Sequence, residues 1–298
     1  MNIAKSIGSD EERHHVLSAV LANAGSDPEI AMEALRSAAG IGSDEEKAAV
    51  LIEAAPHYAE ANASRRVFFD VAATIGSDQE RRRVLSALLS QPGLSDVTFA
   101  AIARCAKSLG SDEEKAAVLA YLAARNLQTA EARGEFFEAV NSIGSDEERK
   151  RVLLSSLHRA GVSREIEAEA AKSARQIGSD EDKAAVLTAL AGSDLQDERV
   201  RDAFFAAADS IGSDDERARV LSALLSRPSL ARDTLIRAIE SAARIPSDEA
   251  KANLLRQANG TAHADDPQVR SAFQKALDSI QSDSEYRRAS AALSKSGR

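Results

Sequence analysis

The chain repeats itself, and this constrains its fold more than any other feature. The stretch Ile7-Gly8-Ser9-Asp10-Glu11-Glu12-Arg13 returns in close copies beginning at Ile41, Ile75, Leu109, Ile143, Ile177, Ile211, Ile245 and Ile280. The step is 34 residues until the last, which is 35. A fixed period of that size marks a stack of small units, each too small to bury its apolar face alone. Length alone, at 298 residues, would allow one or two ordinary domains, and the repeat overrides that count.

The spacing sets eight units at 7–40, 41–74, 75–108, 109–142, 143–176, 177–210, 211–244 and 245–279. Residues 1–6 read as the tail of a preceding helix and 280–298 as a terminal half-unit, all within one solenoid domain, 1–298. Neither end carries an evident polar cap, which fits a piece of a longer array. Each unit reads as two helices, A and B. Helix A opens at the motif serine, an N-cap residue: Ser9, Ser43, Ser77, Ser111, Ser145, Ser179, Ser213, Ser247 and Ser282. An acid three residues on, Glu12 in the first copy, has capping-box spacing. Asp182 and Ala250 replace it in the sixth and eighth units. Gly8 before the cap is expected to allow a sharp turn out of the preceding helix. Helix B opens near Ser26-Asp27-Pro28, with proline just inside the helix. The extra residue of the eighth unit falls near Gly260-Thr261-Ala262-His263, in an A–B loop.

A second period of 68 overlies the first. Odd units carry a basic helix A (Arg81-Arg82-Arg83, Arg149-Lys150-Arg151), and even ones carry Lys47-Ala48-Ala49, Lys115-Ala116-Ala117 and Lys183-Ala184-Ala185. Helix B of the even units adds Phe68-Phe69, Phe136-Phe137 and Phe204-Phe205, read as core filler between helices. The building block is thus a pair of unlike hairpins.

This alternation resembles a bacterial helical-hairpin repeat, HEAT- or TPR-like, of the form Ile-x-Ser-Asp-Tyr-Glu. That repeat is found, among other places, appended to BlaR-type sensor metallopeptidases of the envelope. The resemblance implies an all-α solenoid and a regulatory or sensory extension. Most copies here carry Glu, Gln or Asp where the family has tyrosine. The near-uniform motif fits a consensus-like or designed repeat equally well.

Composition narrows the function. A net charge of −9 and an aromatic share of 4% argue against a nucleic-acid partner, whether bound through phosphates or by base stacking. No run approaches a membrane span, and the first residues do not form a signal peptide, which leaves the compartment unknown. The single cysteine, Cys105, reads as a small core residue. His14 and His15 offer at most a two-ligand pair, and His57, His158 and His263 lie in distant units, so no metal or cofactor site is expected. No catalytic or phosphate-loop motif occurs, and the reading is not an enzyme.

Two sets of charged residues remain. On a helical wheel, the motif acid and the base three residues on lie toward the buried side. They form the pairs Asp10/Arg13, Asp44/Lys47, Asp78/Arg81, Asp112/Lys115, Asp146/Arg149, Asp180/Lys183, Asp214/Arg217 and Asp248/Lys251. They are read either as seam ion pairs that fix the register of one unit on the next, or as dipole-friendly acids beside snorkelling bases. Arg83, Arg151 and Arg219 on helix A, with Arg65, Arg66, Arg133, Arg164 and Arg201 on helix B, are the candidates for contacting a partner. The bland alternative is a solvated face.

The expected fold is therefore an open, right-handed-type α-solenoid of about eight and a half hairpins. The expected function is a non-catalytic scaffold for a protein or peptide, with end-to-end self-association allowed. The alternatives are an inert structural or designed repeat and the envelope-peptidase extension.

Overall fold

The computed structural model describes residues 7–24, 27–57, 62–159, 161–193, 195–261, 263 and 266–293. The expected partial helix at 1–6, Ser26, Ala262 and the last residues of the half-unit lie outside them. Among the described residues there are seventeen α-helices, a 3-10 turn at Ala55–His57 and no strand. The A helices are α1 (Asp10–Ala24), α3 (Asp44–Ala54), α5 (Asp78–Leu89), α7 (Asp112–Ala123), α9 (Asp146–Leu157), α11 (Asp180–Ala191), α13 (Asp214–Leu225), α15 (Asp248–Ala258) and α17 (Asp283–Leu293). The B helices are α2 (Pro28–Ala38), α4 (Asn62–Ala72), α6 (Asp96–Lys107), α8 (Ala130–Asn141), α10 (Arg164–Ala174), α12 (Glu198–Ala208), α14 (Arg232–Ala243) and α16 (Pro267–Leu277).

The contacts fall into two compact units, Met1–Glu148 and Arg149–Arg298. In the first, α1, α3, α5 and α7 pack in succession as one layer, and α2, α4, α6 and α8 as the other. Each A helix also packs on the B helix of its own hairpin. The second unit repeats the plan, with α11, α13, α15 and α17 in one layer and α10, α12, α14 and α16 in the other. Both units are stacks of αα-hairpins, the all-helical repeat arrangement that the 34-residue period predicts.

Why the stack is obligatory is visible in one register position. Val50, Val84 and Val118 are fully buried in A helices that pack on an A helix before them, whereas the equivalent Val16 of α1 is 37% exposed. Burial of this valine depends on a neighbour, which is the physical content of nearest-neighbour stability. The paired phenylalanines of the B helices belong to the core, Phe69 being half-buried. Phe136 and Phe137 sit edge-to-face at 5.1 Å, and Phe204 and Phe205 at 5.2 Å. All four are buried.

The motif serines cap as their chemistry requires. The N3 amide donates to the serine Oγ at each A helix, at 3.4 Å for Ser9, 3.3 Å for Ser43, 3.2 Å for Ser179 and 3.5 Å for Ser282. Ser77, Ser111, Ser145, Ser213 and Ser247 each do the same at 3.3 Å. The amides of Ser43, Ser77, Ser111, Ser145, Ser213, Ser247 and Ser282 donate to the motif aspartate of the preceding unit. The motif glycine also differs from expectation. Among the described glycines only Gly93 and Gly161 have positive φ, so the motif turn needs no left-handed residue. A Cβ on Gly42, Gly76 or Gly110 would instead stand 3.1–3.2 Å from a carboxylate oxygen of the preceding A helix. Close approach, not torsion, is what glycine provides here.

Candidate functional site

The Asp-x-x-Arg/Lys pair of each A helix straddles the linker between its own helix B and the next helix A. Asp10 Oδ2 accepts from the amides of Gly42 at 3.1 Å and Ser43 at 2.8 Å. Asp44 takes Gly76 at 3.0 Å and Ser77 at 2.8 Å, and Asp78 takes Gly110 and Ser111, both at 2.8 Å. Asp112 holds Gly144 at 3.0 Å and Ser145 at 2.8 Å. In the second unit Asp180 holds Gly212 at 3.1 Å and Ser213 at 2.8 Å, and Asp248 holds Gln281 at 3.0 Å and Ser282 at 2.8 Å. Asp214 reaches only Ser247, at 2.9 Å, because Pro246 offers no N–H.

The basic partner serves the other end of the linker. Lys47 Nζ donates to Thr74 O at 3.3 Å, Lys115 to Ser142 O at 3.1 Å, Lys183 to Ser210 O at 3.2 Å and Lys251 to Ser279 O at 2.9 Å. Arg13 donates to Gly40 O at 2.6 Å, and Arg149 to Gln176 O at 3.0 Å. These carbonyls close helix B, where the dipole is negative, and the amides held by aspartate open helix A, where it is positive. Each charge therefore meets the helix end of opposite sign. Direct contact within the pair is secondary: 2.9 Å for Arg81–Asp78 and 3.1 Å for Lys251–Asp248, but 3.7 Å for Arg13–Asp10 and Lys115–Asp112, and 3.9 Å for Lys183–Asp180. Arg81 and Arg217 depart from the pattern: Arg81 donates to Ser108 Oγ at 3.1 Å, and Arg217 meets Asp209 at 2.5 Å and Ser241 O at 3.0 Å. The amides of Gly42 and Ser43 hold the Asp10 carboxyl below its ordinary pKa, and the Ser282 amide does the same for Asp248.

This motif is thus fully occupied by the chain itself. Departures from the repeat leave space. In the helix-B layer, a cavity of about 630 Å³ lies between α2 and α4. Ala39, Ala63, Val67 and Val71 form an apolar floor, and Arg36, Arg66 and Asp70 stand on its sides. One double repeat later the equivalent positions carry Lys107 for Ala39, Glu131 for Ala63 and Glu135 for Val67. There Arg104 bridges from α6 to Glu131 at 2.7 Å and Glu135 at 2.8 Å on α8, and Lys107 reaches Glu138 at 2.9 Å. Ion pairs close the later groove; small apolar residues leave the earlier one open.

A second opening, about 410 Å³, lies between α13 and α15 on the A layer, over Ala218, Ala250 and Leu254. Elsewhere a base and an acid bridge these two positions, as in His14–Glu46 at 2.5 Å, Arg82–Glu114, and Lys150–Asp182 at 2.5 Å. Its polar walls are already engaged with one another: Gln257 bonds Ser222 O at 2.9 Å and Ser226 Oγ at 2.7 Å.

The candidate arginines are distributed widely rather than gathered. Arg66 borders the α2–α4 groove and pairs loosely with Asp70 at 3.5 Å. Arg65 stands beside it on α4, half-buried. Arg133 is turned inward to its own A–B loop, donating to Gln128 O at 2.5 Å and Leu127 O at 3.1 Å. Arg201 similarly reaches Gln196 O at 3.4 Å and borders an opening with Arg232 and His263. Arg83 meets Glu80 at 2.7 Å, Arg164 meets Glu167 at 2.7 Å, and Arg219 meets Glu216. Arg151 is exposed on α9.

His14 lies between Glu46 and Glu53, at 2.5 and 3.3 Å, with His15 stacked against it. Among the described residues no group of three or more His, Cys, Asp or Glu side chains converges on a point that could hold a metal. Cys105 is half-buried, and burial pushes its thiol up to about 11. Among the described residues no helix is long and apolar enough to cross a membrane.

Sequence reasoning missed the α2–α4 groove, although its signal is in the chain. Subtracting one double repeat from the next exposes three charges replaced by Ala39, Ala63 and Val67.

Comparison with known proteins adds little. No protein-family model matches the chain, and no curated protein matches it. A solved chain described as "Computational Design of Self-Assembling Cyclic Protein Homooligomers" aligns over 94% of this chain and 97% of its own, at 18% identity and a TM-score of 0.18. An overlay of that quality carries no argument about fold or function.

Proposed function

We propose that the chain is a non-catalytic helical-repeat scaffold that binds a protein or peptide through its helix-B layer, at the groove between α2 and α4. The observation that carries this reading is the apolar floor of Ala39, Ala63 and Val67 at positions where the second double repeat places the bridging charges Lys107, Glu131 and Glu135 and the third places Arg175, Arg199 and Ala203. Small apolar residues on a surface groove cost solubility and gain nothing for the stack, whereas a partner would cover them. The motif supports the reading from the other side. Most of the repeated Asp and Arg or Lys side chains in it are engaged with the linker between hairpins.

The test is a peptide-display selection on the protein and on a variant, A39K/A63E/V67E, that copies the later double repeat into the groove. Groove-dependent binders, enriched on the protein and lost on the variant, are the expected result. Enrichment of the same peptides on both would sink the assignment.

An inert structural or designed repeat is the second reading. It is favoured by the internal engagement of Arg83, Arg133, Arg164, Arg201 and Arg219. The envelope-peptidase extension rests on the motif resemblance alone.

A further inference from the structure

The geometry points to an acidic amphipathic peptide, with an aliphatic or aromatic anchor between carboxylates, as the occupant of the α2–α4 groove; this deepens the scaffold reading and rests on it. The chain supplies its own template. In the second double repeat, α8 presents Glu131, Glu135 and Glu138 at i, i+4 and i+7 to Arg104 and Lys107 of α6. That spacing is one face of a helix. In the first double repeat Arg36 keeps the register of Arg104 and Asp70 that of Glu138, while Ala39 replaces Lys107. The two acids that Arg104 meets, Glu131 and Glu135, are replaced by Ala63 and Val67, so the base at Arg36 is kept without them.

Arg36 is left with Glu33 of its own helix at 3.3 Å, both side chains about half exposed. Arg66, across the cavity, holds Asp70 at 3.5 Å with both side chains mostly exposed. Exposed pairs of this kind are weak and exchange readily for a better-placed carboxylate. The two guanidiniums flank a floor of Ala39, Ala63, Val67 and Val71. Arginine forks favour carboxylates, and the cavity of about 630 Å³ has room for one or two large apolar side chains. The occupant thus supplies in trans the acids that α8 supplies in cis, and adds the apolar group that the missing charges leave room for.

The experiment uses the full chain and fluorescence anisotropy. The probe is a short fluorescein-labelled amphipathic peptide with Glu at i, i+4 and i+7 around Leu and Phe. Its Gln and Lys counterparts serve as controls. The expected result is saturable binding of the Glu peptide, weakened about tenfold or more in R36E/R66E and abolished in A39K/A63E/V67E. The Gln peptide should bind about tenfold more weakly than the Glu peptide. Both variants alter a surface groove, and unchanged far-UV circular dichroism and thermal unfolding would establish that they fold. If the Gln or Lys peptide binds as well as the Glu peptide and is still lost in A39K/A63E/V67E, the acidic assignment is overturned and the groove stands. If none binds and display selection yields no groove-dependent peptide, both the occupant and the scaffold reading fall.

Discussion

Replacing Asp78 with alanine should loosen the α5–α7 seam by a calculable amount. The carboxylate accepts two amides of the next unit, Gly110 and Ser111, each at 2.8 Å, and meets Arg81 at 2.9 Å. Its side chain is 23% exposed. A hydrogen bond to a charged group is worth about 1.5–3 kcal/mol when its partner is left unsatisfied. The Gly110 amide is at an exposed residue, so water replaces most of that bond; Ser111 is half-buried and keeps its penalty. The net cost is about 2–3 kcal/mol for D78A. D78N keeps an acceptor and loses the charge, so about 1 kcal/mol is expected. The chain contains its own control. Asp214 bonds one amide rather than two, because Pro246 stands at the glycine position. D214A should therefore cost about 1 kcal/mol less than D78A. Urea unfolding followed by circular dichroism, with hydrogen exchange at the Ser111 amide, measures both quantities. The reasoning is refuted if D78A unfolds like the parent and Ser111 keeps its protection.

Other perturbations probe separate parts of the account. Acid should weaken the seams. Asp10 and Asp248 have folded pKa values below their unfolded ones, so their contribution is present above about pH 4 and is lost as pH falls through the folded values. Asp197, which caps α12 and is held at about 2 chiefly by Arg199, should be among the last to release. A thermal-unfolding series from pH 6 to pH 2, flat to about pH 4 and then falling, is the expected profile; a rise on acidification would contradict it. F204A should cost about 3–5 kcal/mol, since the ring is fully buried against Phe205; a loss under about 1 kcal/mol would mean the core is not packed as described. Cys105, with its thiol at about 11, should react with iodoacetamide at pH 8 at least about tenfold more slowly in the folded protein than in urea. Equal rates would place the thiol in solvent.

How much of this was legible in the residues depends on whether the cause is local. The 34-residue period and the serine N-caps act within one helix, and both can be read along the chain. The same holds for Phe136 and Phe137, which follow helical periodicity into the interior. The direction of Asp10 was not legible. A helical wheel places the carboxylate on one side of α1, yet its partners, Gly42 and Ser43, lie 32 and 33 residues away and are backbone groups without a sequence signature. The motif glycine was misread for the same reason, since torsional need can be judged locally and steric approach cannot. The B helices are less regular. Asp27, Ser95, Thr129, Ser163, Asp197 and Asp266 cap them, but Ala231 of α14 makes no side-chain cap bond, so their starts could be placed only loosely. The α2–α4 groove required knowing which residues of adjacent B helices face each other. The pairing of Arg104 with Glu131 and Glu135 supplies that register.

The central claim is that the repeated motif holds the stack and that binding belongs where the copies differ. It is tested most directly by methyl-labelled NMR during titration with the Glu peptide. The account predicts shifts at the Val67 and Val71 methyls, absent in R36E/R66E, with Ile41 and Ile75 beside the motif unmoved. Shifts centred on Ile41, Ile75 or the motif helices, with Val67 and Val71 silent, would contradict it.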